Sequence, residues 1–203
     1  RVPGLDESAR TAQEIRTRCC VATGEYARGI ALGMAALAKR GITFPDTDEA
    51  CQVALLQEST ELDRWLELDP DAFDRMPIDL SQEHRLIDAL MTQAQLCAIY
   101  GGRPILYSLI IARIVSEAIQ RDALTPAATF MICSFANVWS VATGMYRRVM
   151  RWLTPGVRAA ERVGSSMLPE CLALKGIYLV HSRPIDEASP IYEQGIAAGL
   201  KLG

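Results

Sequence analysis

The sequence of 203 residues has no Cys-x-x-Cys pair, no Asn-Gly or Asp-Gly dipeptide and only two histidines, His84 and His181. Each lack closes a class. Zinc sites need thiolates or imidazoles clustered at short spacing. Tight β-hairpins favour the missing dipeptides, and runs of alternating β-branched residues are missing too, so strands are not expected. No uninterrupted apolar stretch reaches the roughly 18 residues that span a bilayer, so no membrane partner is expected. There is no basic excess: 21 Lys and Arg face 24 Asp and Glu, for a formal charge of -3. That removes the case for a strongly basic nucleic-acid binder. Lysine occurs only as Lys39, Lys175 and Lys201, a skew towards arginine that carries no functional reading.

Signatures of catalysis are equally sparse. A phosphate-binding loop needs a Gly-rich turn with Lys and Ser/Thr just before a helix. The nearest stretch, Gly164 to Ser166, has no Lys and no strand before it. No G-x-S-x-G elbow occurs. His84 reads as a solvated residue near a helix start, and His181 as a helix-end residue whose partial charge suits the dipole. Asp69, Asp71 and Asp74 suggest a calcium loop, but such a loop needs Gly at its sixth position and Glu at its twelfth. Asp74 and Leu80 stand there, so a solvated linker is expected. The pairs Glu58–Glu61 and Glu67–Asp69 lie on a polar stretch with no sign of the burial that acid–base work requires. No catalytic, metal-binding or cofactor-binding residue is assigned.

What is present is ordinary globular material: 50% hydrophobic and 22% charged residues, enough for a core without staples in one or two domains. The six cysteines are Cys19, Cys20, Cys51, Cys97, Cys133 and Cys171. Most sit in apolar runs and read as free core thiols in a reducing cytoplasm. The alternative is a redox pair at Cys19–Cys20. The chain starts at Arg1 and stops inside a helical pattern at Leu200–Gly203, which reads as a piece of a longer protein.

Apolar residues recur three and four apart nearly throughout. About nine helices are expected: 6–23, 26–40, 47–58, 81–100, 104–121, 125–143, 146–163, and the pair 168–181 and 184–200, with room for a short acidic one at 61–66. Gly41, Gly101-Gly102 and the pair Thr125-Pro126 supply stops and a cap. Short connectors make neighbouring helices antiparallel. The fold class is therefore all-α: one domain over residues 1–203, built as stacked helical hairpins, with an irregular acidic connector near 66–81.

One segment recurs. Val21-Ala22-Thr23-Gly24-Glu25-Tyr26-Ala27-Arg28 returns as Val141-Ala142-Thr143-Gly144-Met145-Tyr146-Arg147-Arg148, with V-A-T-G-x-Y-x-R in common. In both places one helix ends and the next begins, and Gly accepts the positive φ of such a turn. Gly29, Gly33 and Ala36 follow Tyr26 at the offsets where Val149, Leu153 and Gly156 follow Tyr146. A weaker third copy keeps the face as Ala188, Tyr192 and Gly195. Small residues there let a partner helix approach closely.

A glycine turn followed by small and large residues at fixed offsets resembles the tetratricopeptide repeat, a helix-turn-helix unit. A second resemblance rests on Arg183–Gly195 with Gly199, on Gly24-Glu25-Tyr26, on Arg40–Pro45, on the acidic spacer before Met76-Pro77 and on the paired helices 82–100 and 104–121. These are similar to the TPR-like helical region of very large bacterial and fungal signalling proteins. Those carry a Ser/Thr-kinase-like domain, an AAA- or STAND-type ATPase, this region, a GAF domain and often a histidine kinase. The resemblance implies a cytoplasmic domain without an active site, coupling a protein or peptide partner, or neighbouring domains, to catalysis elsewhere.

Arg147, Arg151, Arg158 and Arg162 fall on one helical face, within about 60° at 100° per residue, while Val149, Leu153, Val157 and Ala160 face away from it. Such a ridge can dock an acidic peptide or domain, although Pro155-Gly156 can kink it. The bland reading is a solvated outer face. Two other functions stay open. One is a free-standing all-α ligand-binding regulator of TetR-like size, for which residues 31–38 lack base-reading side chains. The other is a small helical enzyme, for which no nucleophile, base and orienting group converge.

Overall fold

The computed structural model describes residues 5–144 and 148–202. They form an all-α structure of ten helices with no named strand among them. The helices are α1 (Leu5–Thr23), α2 (Tyr26–Ala38), α3 (Asp48–Leu68), α4 (Ala72–Arg75), α5 (Gln82–Tyr100), α6 (Pro104–Gln120), α7 (Pro126–Thr143), α8 (Val149–Val163), α9 (Leu168–Ser182) and α10 (Ile185–Leu202). Among the described residues, no helix is long and apolar enough to cross a membrane.

Two expected boundaries are corrected. Residues 47–58 and 61–66 are not two helices but the single 21-residue α3. Gln57, Ser59 and Thr60 are weak helix formers at worst and do not break a helix whose apolar spacing continues through Leu62 and Leu66. The acidic connector is not only linker, since residues 72–75 make the one-turn α4. The other ends follow local chemistry. The Thr125 hydroxyl accepts from the Ala128 N–H at 3.2 Å, with Pro126 in the first turn of α7. Ser81 caps α5 by accepting from the His84 N–H. Thr47 accepts from the Ala50 N–H at 3.2 Å ahead of α3.

The chain divides into two compact units, and the division passes through α3 after Gln57 and through α6 after Ile110. In the first unit, α1, α2 and α5 pack on one another. Gly29 faces Cys97 and Cys20, and an added Cβ on Gly33 would stand 3.1 Å from that of Ala94. Tyr26 packs its ring on Tyr100 at 5.8 Å. Asp48 at the start of α3 takes a two-nitrogen ion pair from Arg103, at 2.6 and 3.2 Å.

In the second unit, α7 packs on α8, α8 on α9 and α9 on α10, while α4 packs on α8. Trp152 of α8 is fully buried. The Phe135 ring meets it edge-on at 4.7 Å and Phe73 of α4 lies 6.2 Å away, with Trp65 of α3 5.1 Å beyond Phe73. Tyr178 is buried between α7 and α9, and its hydroxyl donates to Asn137 Oδ1 at 2.7 Å.

The recurring segment keeps its geometry. Gly24 and Gly144 both adopt left-handed φ, +74° and +68°. Gly29, Gly33 and Ala36 on α2 are buried, and so are Val149, Leu153 and Gly156 on α8. Ala188 and Gly195 of α10 are buried as well, with Tyr192 half-buried beside them. Tyr192 fills the space that Gly176 leaves open, since an added Cβ there would stand 2.7 Å from its ring. Tyr146 and Arg147 lie outside the described residues.

Nothing lies within 4 Å of a Cβ added at Gly24 or Gly144. The cost of a side chain there is therefore conformational, about 1–2 kcal/mol for a residue forced left-handed. Gly24→Ala and Gly144→Ala should each lower unfolding stability by about that much in urea melts. Unchanged midpoints for both would show that the turns tolerate side chains.

Candidate functional site

The densest array of charged side chains lies on α8 of the second unit. Val149, Leu153, Val157 and Ala160 are buried, as their positions require, which leaves the arginines on the outer face. The acidic partner that such a ridge calls for comes from the same chain. Arg151 Nη1 lies 3.0 Å from Glu67 Oε1 on α3. Arg158 holds Asp74 through two nitrogens, at 3.1 and 2.6 Å, and reaches Asp71 at 3.3 Å. Arg162 donates to the carbonyl oxygen of Phe73 at 2.8 Å. Arg148, which the sequence pattern leaves out of the ridge, lies 3.2 Å from Asp63.

This array corrects the reading of residues 66–81 as a solvated linker. Phe73 is fully buried, Met76 nearly so, and Asp71 and Asp74 point to Arg158 rather than to a cation. Asp69 pairs with Arg75 inside the connector. Its far end is fixed by backbone: the Leu124 N–H donates to the Pro77 carbonyl at 2.9 Å, and the Asp79 N–H to the Leu124 carbonyl at 2.8 Å. The apolar contact sits beneath the ion pairs. Exposed pairs are worth well under the few kcal/mol of a buried aromatic side chain.

Asp63 does more than close a pair. It is buried, and it also accepts from the Trp152 indole N–H at 3.4 Å. A tryptophan buried on every side needs an acceptor for that N–H. Arg148 offsets the charge that the acceptor brings inside.

A second buried carboxylate overturns an expectation. Glu58 is not on an exposed polar stretch; it is 8% exposed. The unbroken α3 puts it one and two turns before Leu62 and Leu66, on the inward stripe. Its Oε1 lies 3.2 Å from Arg113 Nε on α6. Burial pushes the Glu58 carboxyl above its ordinary value, and Arg113 and the Ser116 hydroxyl pull it back only in part. Glu61 and Glu117 push it further up. Arg113 and the Ser116 hydroxyl are the groups that hold this raised carboxyl. Glu61 and Glu67 are exposed.

His84 is half-buried at the start of α5, and His181 is exposed in the last turn of α9. Gly164 ends α8 with φ +66°, and Ser165 Oγ donates to the Pro126 carbonyl at 3.2 Å, so this stretch is a helix stop. Among the described residues no group of three or more His, Cys, Asp or Glu side chains could hold a metal ion. No family model, no curated protein and no solved structure matches the chain.

Two predictions follow from these contacts. Phe73→Ala should cost about 3–5 kcal/mol of stability, whereas Arg158→Ala should cost about 0.5–1 kcal/mol, a loss that shrinks in 1 M salt. Urea melts of both variants at two salt concentrations decide this, and a larger loss for Arg158→Ala would reverse the order of the two contacts. The raised carboxyl of Glu58 favours the folded state most below the ordinary carboxylate range. That contribution is lost as pH rises through the folded-state value. The midpoint difference between Glu58→Gln and the parent should therefore move in favour of the variant from pH 4 to pH 7.5. Thermal melts at the two pH values measure it, and a shift the other way would mean that Arg113 dominates.

Proposed function

We propose that the chain is a non-catalytic helical-repeat interaction module. In this reading it acts in the cytoplasm, inside a larger signalling protein with ATPase or kinase domains, and passes conformational change between a protein or peptide partner and those domains. The observation that carries the reading is the packing face that α2, α8 and α10 share. Gly29, Gly33 and Ala36, then Val149, Leu153 and Gly156, then Ala188, Tyr192 and Gly195 occupy equivalent steps on their helices. Helical pairs that repeat one face build surfaces suited to partners.

The grouping of titratable residues also favours docking over chemistry. Glu58 is held by Arg113 and the Ser116 hydroxyl, and Asp63 by Arg148 and Trp152, so both carboxylates are taken up by partners within the fold. The regulator reading gains nothing from α2, whose exposed positions include Ala27, Ala31, Ala35 and Ala38. Between residues 31 and 38 that face offers no donors or acceptors to base edges, and Arg28 pairs with Glu25.

The test uses an antibody raised against the chain on lysates of cells that make it, together with an ATPase assay of the purified chain. The expected results are a native polypeptide several times larger than the chain and no ATP turnover. A band near the mass of the chain itself, or turnover by the purified chain, overturns the reading.

A further inference from the structure

The first unit brings two thiols from distant parts of the sequence against one glycine. Cys20 lies near the end of α1 and Cys97 near the end of α5, and α1 and α5 pack on each other and on α2. The point where a Cβ on Gly29 would stand is 3.0 Å from Cys20 Cβ and 3.5 Å from Cys97 Cβ, and Cys97 Sγ overlaps it. The two cysteines thus converge on the space left by one missing side chain. A disulfide needs Cβ atoms about 3.5–4.5 Å apart; a small helix shift would set that distance, and rotamer changes would then aim the two sulfurs at each other.

A second pair lies in the other unit. Cys133 of α7 interacts with Cys171 of α9, and Gly156 of α8 faces Cys133. Both residues are wholly buried. Cys171 beside it and burial hold the Cys133 thiol well up in its neutral form. A small disulfide has no access to either thiol, and Cys97 is as buried, its own thiol raised by burial. Cys20 differs: it is 4% exposed and it follows the exposed Cys19.

We propose that Cys20 and Cys97 form a reversible redox staple that ties α1 to α5 across Gly29, while Cys133 and Cys171 stay reduced. The oxidant is a low-molecular-weight disulfide such as glutathione disulfide. The Cys20 thiolate attacks one sulfur of it, forming a mixed disulfide and expelling one small thiolate. Cys97 Sγ then attacks Cys20 Sγ, forming the internal disulfide and expelling the second small thiolate, which takes up the Cys97 proton. Two protein thiols lose two electrons and two protons, and the small disulfide becomes two thiols. The Cys19–Cys20 pairing weighed from sequence has less support: the two residues are adjacent on α1, with Cys19 exposed and Cys20 buried.

The test uses the whole chain carrying Cys19→Ser, which removes the exposed thiol. It is incubated with glutathione disulfide, alkylated and mapped by mass spectrometry. The expected product is lighter by two hydrogens, carries one Cys20–Cys97 link and reverts with dithiothreitol. Tryptic cleavage after the exposed Arg16 and Arg18 should slow at least several-fold in the oxidised form. Adding Cys97→Ala should leave a lasting mixed disulfide on Cys20 and no change in cleavage. Complete recovery of free thiols, a Cys133–Cys171 link, or a lasting mixed disulfide on Cys20 while Cys97 is present would each overturn the proposal.

Discussion

The second unit depends on the burial of Trp152. Its indole is closed off by Phe135 from α7 and Phe73 from α4, and its N–H must find an acceptor where no water reaches. Asp63 supplies that acceptor from α3. Burying a carboxylate is costly without compensation, and Arg148 compensates from the turn before α8. One large aromatic side chain thus dictates a phenylalanine in the connector, an aspartate on α3 and an arginine beside α8. The outer ion pairs of Arg151 and Arg158 follow from the same approach. Once α3 and α4 are drawn onto α8 by apolar burial, their acidic residues lie within reach of its arginines. The charges then select the register of a contact that the rings stabilise.

The same logic explains why small residues recur on α2 and α10. A helix whose contact face is Gly29, Gly33 and Ala36 lets α5 approach until Ala94 and Cys97 meet its backbone. Close approach maximises dispersion contact per residue, and it leaves no room for side chains at those positions. On α8 the face begins with Val149 and Leu153 and becomes small only at Gly156, opposite Cys133. One pattern therefore serves two spacings, and the larger residues of α8 suit the helix that also supports Trp152.

Much of this was legible in the sequence, and the gaps have one cause. Helix ends at Thr125-Pro126, Gly101-Gly102 and Ser81 are written in residues next to one another, and so is the left-handed turn at Gly24 and Gly144. The inward face of α8 could be read from spacing alone. What could not be read was set by distant contacts. Glu58 looked exposed because its neighbours Gln57, Thr60 and Glu61 are polar, and only the inward turn of an unbroken α3 buries it. Asp69 to Arg75 looked like linker because Pro70 and three aspartates outnumber one Phe. The signal that could have been used is Phe73 itself, a large aromatic beside Ala72 and one turn before Met76, which is rarely left in water. Its partner Trp152 is remote, and the arginine ridge found its acids just as far away: 84 residues separate Arg151 from Glu67.

That pairing limits what the ridge can do for a partner. An incoming acidic peptide must compete with Asp71 and Asp74, which Phe73 holds next to Arg158 at the effective concentration of an intramolecular ligand. For tethered groups this is in the millimolar range. Freeing Arg158 alone gains a competitor little, because each exposed pair contributes about 1 kcal/mol or less. Freeing the whole connector means exposing Phe73, Met76 and one side of Trp152, which no surface charge offsets. The arginines of α8 are therefore engaged within the second unit, and an acidic ligand would meet them already paired.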